Sequence, residues 1–343
     1  MSKKVQTDMS HMVSEDKKRK KRNTASNFAI TETDGIAIKT KNVTKTFDQW
    51  QRDNTGKGLI KNLVKPEKRI ITALDDVSFE IKTGEFVAYA GPNGAGKSTT
   101  IKLLSGMLLP TSGEISVLSM SPHKQRRAIM RQLGVLFGNR TELWWDHPII
   151  QSFEWKKVVW DIPDDLYKKN LAMVTELLGI GELLKTFARE LSLGQRMRAD
   201  VAMMLLHSPK LILLDEPTLG LDVEAKRQMI SFLKQLNEQE NTTIVVTSHD
   251  MDDLEEMAKR ILLISKGKIA FDGSFTELRD ELECTKRAII KFNDGTQQVI
   301  DYNNTNKLLG KLSKMDGIVD VVFTQTSLEE GLANLFAKWK GQE

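Results

Sequence analysis

The chain predicts an α/β fold organised on a buried parallel sheet, and three observations carry that expectation. Four short runs are apolar without alternation: residues 85–90 (EFVAYA), 133–137 (LGVLF), 211–214 (LILL) and 243–247 (TIVVT). Strands covered on both faces read this way, because neither side needs a polar residue for water. A glycine-rich turn follows the first run, and Ile101, Leu103 and Leu104 then fit the start of a helix packed on that strand. Residues 139–189 carry a helical pattern between the second and third runs.

Composition bounds the rest. A chain of 343 residues can bury one large core and a smaller one. Cys284 is the single cysteine, which excludes intramolecular disulfides and thiolate clusters and makes a reduced compartment the default. No run reaches the length of a membrane span, since the richest stretch, 201–214, is broken by His207, Ser208, Pro209 and Lys210. The early lysines are followed by no apolar core, so a secretory signal is not expected. Residues 1–74 hold 17 Lys/Arg against 8 Asp/Glu, so the formal net charge of +4 leaves the remainder of the chain acidic. A nucleic-acid footprint is therefore not expected on the catalytic body.

Taken in order, residues 1–35 form a polar tail with a basic run at 17–22, read as disordered. A solvated tail is favoured there over attraction to an anionic membrane surface or a nuclear address. Residues 36–39, 43–47 and 74–81 alternate and predict strands of an antiparallel edge sheet ahead of the glycine-rich turn. Between them, the basic stretch 51–69, with Gly56, Gly58 and Pro66, predicts an insertion. Residues 113–118 predict a strand and 124–132 a charged helix. Trp144, Trp145, Trp155 and Trp160 crowd into the helical region with only Lys156 and Lys157 between them, fewer basic residues than a nucleic-acid groove needs, which favours subdomain core or a protein-partner surface over a base-stacking platform.

The chemistry begins at residues 91–99, which fit G-x-x-x-x-G-K-[ST] at every fixed position. Backbone N–H groups must curl around phosphate oxygens, and Gly91, Gly94 and Gly96 supply the freedom this needs, with Asn93 and Ala95 between them. Lys97 is placed to reach the β- and γ-phosphates of a nucleotide and Ser98 to ligate Mg²⁺, with Thr99 continuing the helix start. The 211–214 strand runs into Asp215 and Glu216, expected to hold Mg²⁺ and to polarise the attacking water respectively. His249 follows the 243–247 strand, where a γ-phosphate contact is favoured over a structural or capping role.

Residues 191–195 (LSLGQ), just upstream of Asp215 and Glu216, resemble the signature of the ATP-binding cassette (ABC) ATPases. Residues 219–222 (LGLD) resemble that family's D-loop, ending at Asp222, and His249 its switch histidine. The resemblance covers roughly residues 36–280 and implies a P-loop NTPase fold with an antiparallel edge sheet and a helical subdomain at about 139–200. It also implies ATP and Mg²⁺, a second copy of the chain, integral-membrane permease subunits and a place on the cytoplasmic face of the membrane. Each ATP would lie between one chain's phosphate loop and the other's Leu191, Ser192, Leu193, Gly194 and Gln195, with Ser192 and Gly194 contacting the γ-phosphate in trans.

Two positions depart from the pattern. Leu193 stands where the family has glycine, and Asn139 where a Q-loop glutamine would reach Mg²⁺ or water. Phe47 sits at the place of the family's adenine-stacking aromatic, with Trp50 as a substitute and packing beneath the edge sheet as the alternative. Residues 143–146 (LWWD), 191–198 and 248–251 further resemble the ATPases of viologen- and daunorubicin-type exporters, in which the permease is a separate polypeptide. Residues 283–343 predict three strands and two helices, a small α+β appendage of the kind such ATPases carry. The competing reading is a soluble ABC ATPase acting on ribosomes or DNA, disfavoured by a single phosphate loop and a single signature.

Overall fold

A computed structural model describes residues 35–50, 68–138, 140–282, 286–302, 304–325, 327–332 and 335. The basic tail, Asn139, Cys284 and residues 51–67 of the insertion expected at 51–69 lie outside the described residues, and residues 68–69 belong to a strand.

The chain opens with β1 (Ile36–Trp50) and β2 (Lys68–Lys82), which pair antiparallel. The two short strands expected at 36–39 and 43–47 are one strand. It is interrupted by register shifts between Thr40 and Val43, where Asn42 adopts φ 50 and its amide donates to Asp76 Oδ1 at 2.7 Å. A bulge of this kind displaces the alternation by a residue, which is why the sequence reads as two pieces. The third strand of this sheet is β4 (Ser112–Val117), contributed from beyond the glycine-rich turn rather than from before it.

The central sheet has six strands in the order β5-β6-β7-β3-β8-β9. These are β3 (Phe86–Ala90), β5 (Leu133–Phe137), β6 (Leu211–Asp215), β7 (Thr243–Thr247), β8 (Arg260–Ser265) and β9 (Lys268–Ser274). All neighbours pair parallel except β9, which turns back on β8. Every residue of β3 and β7 is buried, as is each aliphatic of β6, because the sheet is covered on both sides. Val87, Tyr89, Leu211, Leu213, Val245 and Leu262 face the antiparallel sheet and α1 (Lys97–Leu104). Their alternates Ala88, Ala90, Ile212, Leu214, Val246 and Leu263 face the helical layer.

α2 (Arg126–Met130) packs through Ile129 on the side of the antiparallel sheet, whereas the helical layer holds α3 (Ile149–Val159), α4 (Asp164–Leu177) and two short 3-10 turns. α5 (Leu193–Leu205), α6 (Val223–Glu240) and α7 (Met251–Met257) follow. Ser192 caps α5 in a full capping box: its hydroxyl accepts from Gln195 N–H while the Gln195 side chain accepts from Ser192 N–H. α8 (Phe275–Glu281) leads to a separate three-stranded antiparallel sheet in the order β11-β10-β12. It consists of β10 (Lys286–Phe292), β11 (Gln297–Tyr302) and β12 (Ile318–Gln325), with α9 (Thr305–Leu312) between the last two. The three strands and the first helix expected beyond 283 are thus present.

Candidate functional site

The carboxyl ends of β3, β5, β6 and β7 carry the predicted site, the position at which open parallel sheets bind ligands. The turn after β3 is held from behind. Gly267 N–H donates to Ala95 O at 3.1 Å, and Thr100 Oγ1, itself 3.0 Å from the buried Tyr89 hydroxyl, donates to Gly96 O. Burial pushes the Tyr89 phenol up, so it stays a neutral hydrogen-bonding group beneath the loop. Two glycines are required sterically. A Cβ at Gly91 would lie 2.1 Å from Ile264 O, and one at Gly96, where φ is +117, would lie 2.6 Å from Leu74 Cδ2 and 2.7 Å from Ala73 O. Gly94 faces open space. The loop is therefore pressed against the protein on one side and bare on the other, a cradle in which the first N–H groups of α1 lack intrahelical partners.

Lys97 is buried, and its ammonium donates to Gly91 O at 2.7 Å and Pro92 O at 3.3 Å, inside its own loop. Burial lowers its pKa, and the charges of Glu216 and Asp215 oppose that. Thus the cation expected to meet phosphate shares one electrostatic neighbourhood with the two carboxylates expected to hold metal and water. Asp215 ends β6, and its Oδ1 accepts from Thr247 Oγ1 at 2.7 Å. Glu216 takes a left-handed conformation, φ 60, and its N–H donates to Thr247 O and Thr247 Oγ1. A non-glycine residue held there marks strain over-determined by its surroundings. The turn aims the carboxylate at His249, whose Nε2 lies 2.6 Å from Glu216 Oε1.

Thr247 is the residue that sequence reasoning passed over. Only the cross-strand register sets its hydroxyl opposite the Asp215 carboxylate at two strand ends, and no local pattern signals that. Lys226 is a second such residue. On α6, four residues past Asp222, its ammonium donates to Asp250 Oδ2 at 2.7 Å and pairs with Asp253 at 3.0 Å, joining the D-loop helix to the residue after His249. Asp222 itself caps α6 by accepting from Ala225 N–H.

Phe47 lies on β1, 38% exposed, with Lys45 Nζ 5.0 Å from its ring centroid. Its exposure opposes the alternative in which it packs beneath the edge sheet. Gly138 N–H donates to Asp215 O, which ties the end of β5 to β6 just before Asn139. Ser192 and Leu193 are exposed while Leu191 is buried, and among the described residues no hydrogen bond joins 191–195 to 91–99. The donor set suits Mg²⁺: Ser98 and Asp215 supply hard oxygens, and two protein ligands completed by phosphate and water is the usual arrangement for that ion. No group of three or more His, Cys, Asp or Glu side chains able to hold a metal alone occurs among the described residues.

The model of the ABC transporter family matches residues 74–219. A methionine import ATP-binding protein, MetN, of Carboxydothermus hydrogenoformans is 31% identical over 226 residues, covering 64% of this chain and 67% of that protein. The chain belongs to the ABC transporter family of ATP-binding subunits. An energy-coupling factor transporter ATP-binding protein, EcfA2, of Ligilactobacillus salivarius is 32% identical, covering 62% of this chain and 76% of that one. A dimeric ATP-binding cassette in a post-hydrolysis state, bound to ADP and Pi, superposes with a TM-score of 0.59 at 25% identity, covering 69% of this chain and 98% of the other. The protein is accordingly an ABC ATPase with the P-loop NTPase fold. Its relatives include a methionine importer subunit, so family membership sets no direction of transport.

Proposed function

We propose that the chain is the ATP-hydrolysing subunit of an ABC transporter that pairs with a second copy of itself and powers a separate membrane permease. The convergence of Lys97, Asp215, Glu216 and His249 at the ends of three adjacent parallel strands carries this reading. Gly91, Asn93, Gly94, Ala95, Gly96, Lys97, Ser98 and Thr99 bind the triphosphate, and Phe47 stacks on the adenine. Glu216 takes a proton from the attacking water, and His249, held against Glu216, fixes that carboxylate and meets the γ-phosphate. Ser98 and Asp215 would hold Mg²⁺, with Asn139 next in the chain after Gly138, whose N–H donates to Asp215 O; bound there, the ion would supply charge neutralisation at the phosphates. Leu191, Ser192, Leu193, Gly194 and Gln195 of one copy close on the nucleotide of the other through the amino end of α5, and Asp222 orders the D-loop between them.

No helix among the described residues is long and apolar enough to cross a membrane, which is consistent with attachment through permease subunits at the cytoplasmic face. Trp144, Trp145 and Trp155 are part-exposed next to the Q-loop region and form the surface we assign to the permease. We take the direction to be export, on the resemblance of residues 143–146 and 191–198, with the permease at the membrane surface and no nucleic acid involved.

The paired site is tested by the rate of ATP hydrolysis against protein concentration, which should rise with the square of concentration at the dilute end. A strictly proportional rate overturns pairing. Trp144→Ala with Trp145→Ala should leave ATP binding intact and uncouple hydrolysis from transport in the complex with its permease. In vesicles, export requires substrate to leave the side on which this chain sits; accumulation on that side overturns it.

A further inference from the structure

The segment that leaves β5, residues 140–144, has no regular secondary structure, yet buried side chains of the helical layer hold it residue by residue. Thr141 Oγ1 donates to Asp200 Oδ1 at 2.8 Å, and Glu142 N–H donates to the same oxygen at 3.2 Å. Leu143 N–H donates to Thr141 Oγ1 at 3.0 Å, and Trp144 N–H to Ser152 Oγ at 2.9 Å. The Glu142 carboxylate accepts from Lys156, a buried lysine whose ammonium also lies 4.8 Å from the Trp160 ring centroid. Asp200 is buried and sits on α5, two turns beyond the signature that opens the helix. A charged carboxylate at such a place is costly unless its bonds accomplish something, since an apolar residue would pack there without penalty.

We infer that Asp200 is a positioning residue that locks residues 141–142 to the signature helix, so that a displacement of the chain leaving β5 is delivered to residues 191–195. Two further contacts close the frame. Arg189 N–H donates to Trp145 O and Ala188 N–H to His147 O, so the same segment is laced to the residues just ahead of Ser192. A rigid body bounded by discrete hydrogen bonds transmits a shift that a loop would absorb. The inference rests on the paired-site reading given above.

The test uses the full chain carrying Glu216→Gln, with Mg-ATP, and reads both nucleotide affinity and the protein concentration at half-dimerisation by light scattering. Adding Asp200→Ala should leave nucleotide affinity within twofold and raise the half-dimerisation concentration at least tenfold. Asp200→Asn keeps an acceptor oxygen and should return within threefold of the parent. Thr141→Val, which removes the hydroxyl that donates to Asp200 and accepts from Leu143 N–H and serves if Asp200→Ala does not fold, should give a three- to tenfold rise. Asn170→Ala is the comparison for general damage: its amide bonds Leu206 O and Ser208 Oγ, away from this segment. It should lower thermal stability without changing dimerisation. Unchanged dimerisation in Asp200→Ala and Thr141→Val, or an equal defect in Asn170→Ala, overturns the inference. A parent chain that never dimerises with ATP overturns the paired-site reading and this inference with it.

Discussion

Asp200 also yields a signed dependence of stability on pH. Burial pushes its carboxyl from an ordinary 3.8 up to about 6, against the Thr141 and Glu142 hydrogen bonds; the Glu142 charge adds to the rise and Arg196 opposes it. A carboxyl with a raised native pKa favours the protonated form in the fold. Its contribution is therefore complete below the unfolded value and is lost as pH climbs through about 6. Two pH units correspond to roughly 3 kcal/mol over the whole range. Between pH 8 and pH 5 about half of that, roughly 1.5 kcal/mol, returns on acidification, because at pH 5 the native group is mostly protonated and the unfolded one mostly ionised. Asp200→Asn deletes this titration and little else, which removes every other pH effect from the comparison. Thermal unfolding of both proteins at the two pH values should show the wild type gaining on the variant by about 2 °C at pH 5, since an unfolding entropy of about 2.1 cal/mol/K per residue over 343 residues gives roughly 1.4 °C per kcal/mol. A difference that stays constant from pH 8 to pH 5 refutes burial as the governing influence on this carboxyl.

Gly96→Ala forces a Cβ within 2.7 Å of Ala73 O at a φ of +117, so the loop must shift; stability should fall by about 2 kcal/mol or more and ATP affinity by more than tenfold in equilibrium binding. Glu216→Gln should retain nucleotide binding, lose at least about 10²-fold in turnover and accumulate an ATP-bound dimer; undiminished hydrolysis removes Glu216 from the role of base. Phe47→Ala should weaken ATP binding by about 1 kcal/mol while Phe47→Tyr leaves it unchanged, and equal affinities for both variants place the adenine elsewhere. Leu193→Gly should alter hydrolysis less than threefold, because in the proposed paired site Ser192 and Gly194 make the contacts; a tenfold change assigns Leu193 a part in the signature.

The central strands and the phosphate loop were legible because their causes are local. A strand buried on both faces is apolar throughout, and a phosphate cradle needs glycine where a Cβ would strike Ile264 O or Ala73 O. Asp215, Glu216 and His249 were legible because each ends or follows such a strand. What the sequence concealed depends on register between distant segments. Nothing local tells that Thr247 stands opposite Asp215, or that Lys226 reaches Asp250. The bulge at Asn42 misled for the same reason, since its partner Asp76 lies 34 residues away. Among the helices, α6 carries its own local signal, since one face buries Met229, Ile230, Leu233 and Leu236.

The signature shows how one short segment meets two requirements at once. Ser192 must start a helix, and its hydroxyl oxygen does so by accepting from Gln195 N–H; the same hydroxyl keeps a proton to donate outward. Capping a helix and gripping an anion are thus compatible uses of one serine, since the cap takes a lone pair and the anion takes the hydrogen. Leu193 is tolerated between them because its side chain has somewhere to go: a Cβ added at Gly220 would meet Leu193 Cδ2 at 2.7 Å, which places the leucine over the D-loop of its own chain. Gly220, at φ +72, leaves that room. The departure at 193 and the glycine at 220 therefore form one adjustment, which ties the signature to the turn that ends at Asp222 while Ser192 stays exposed.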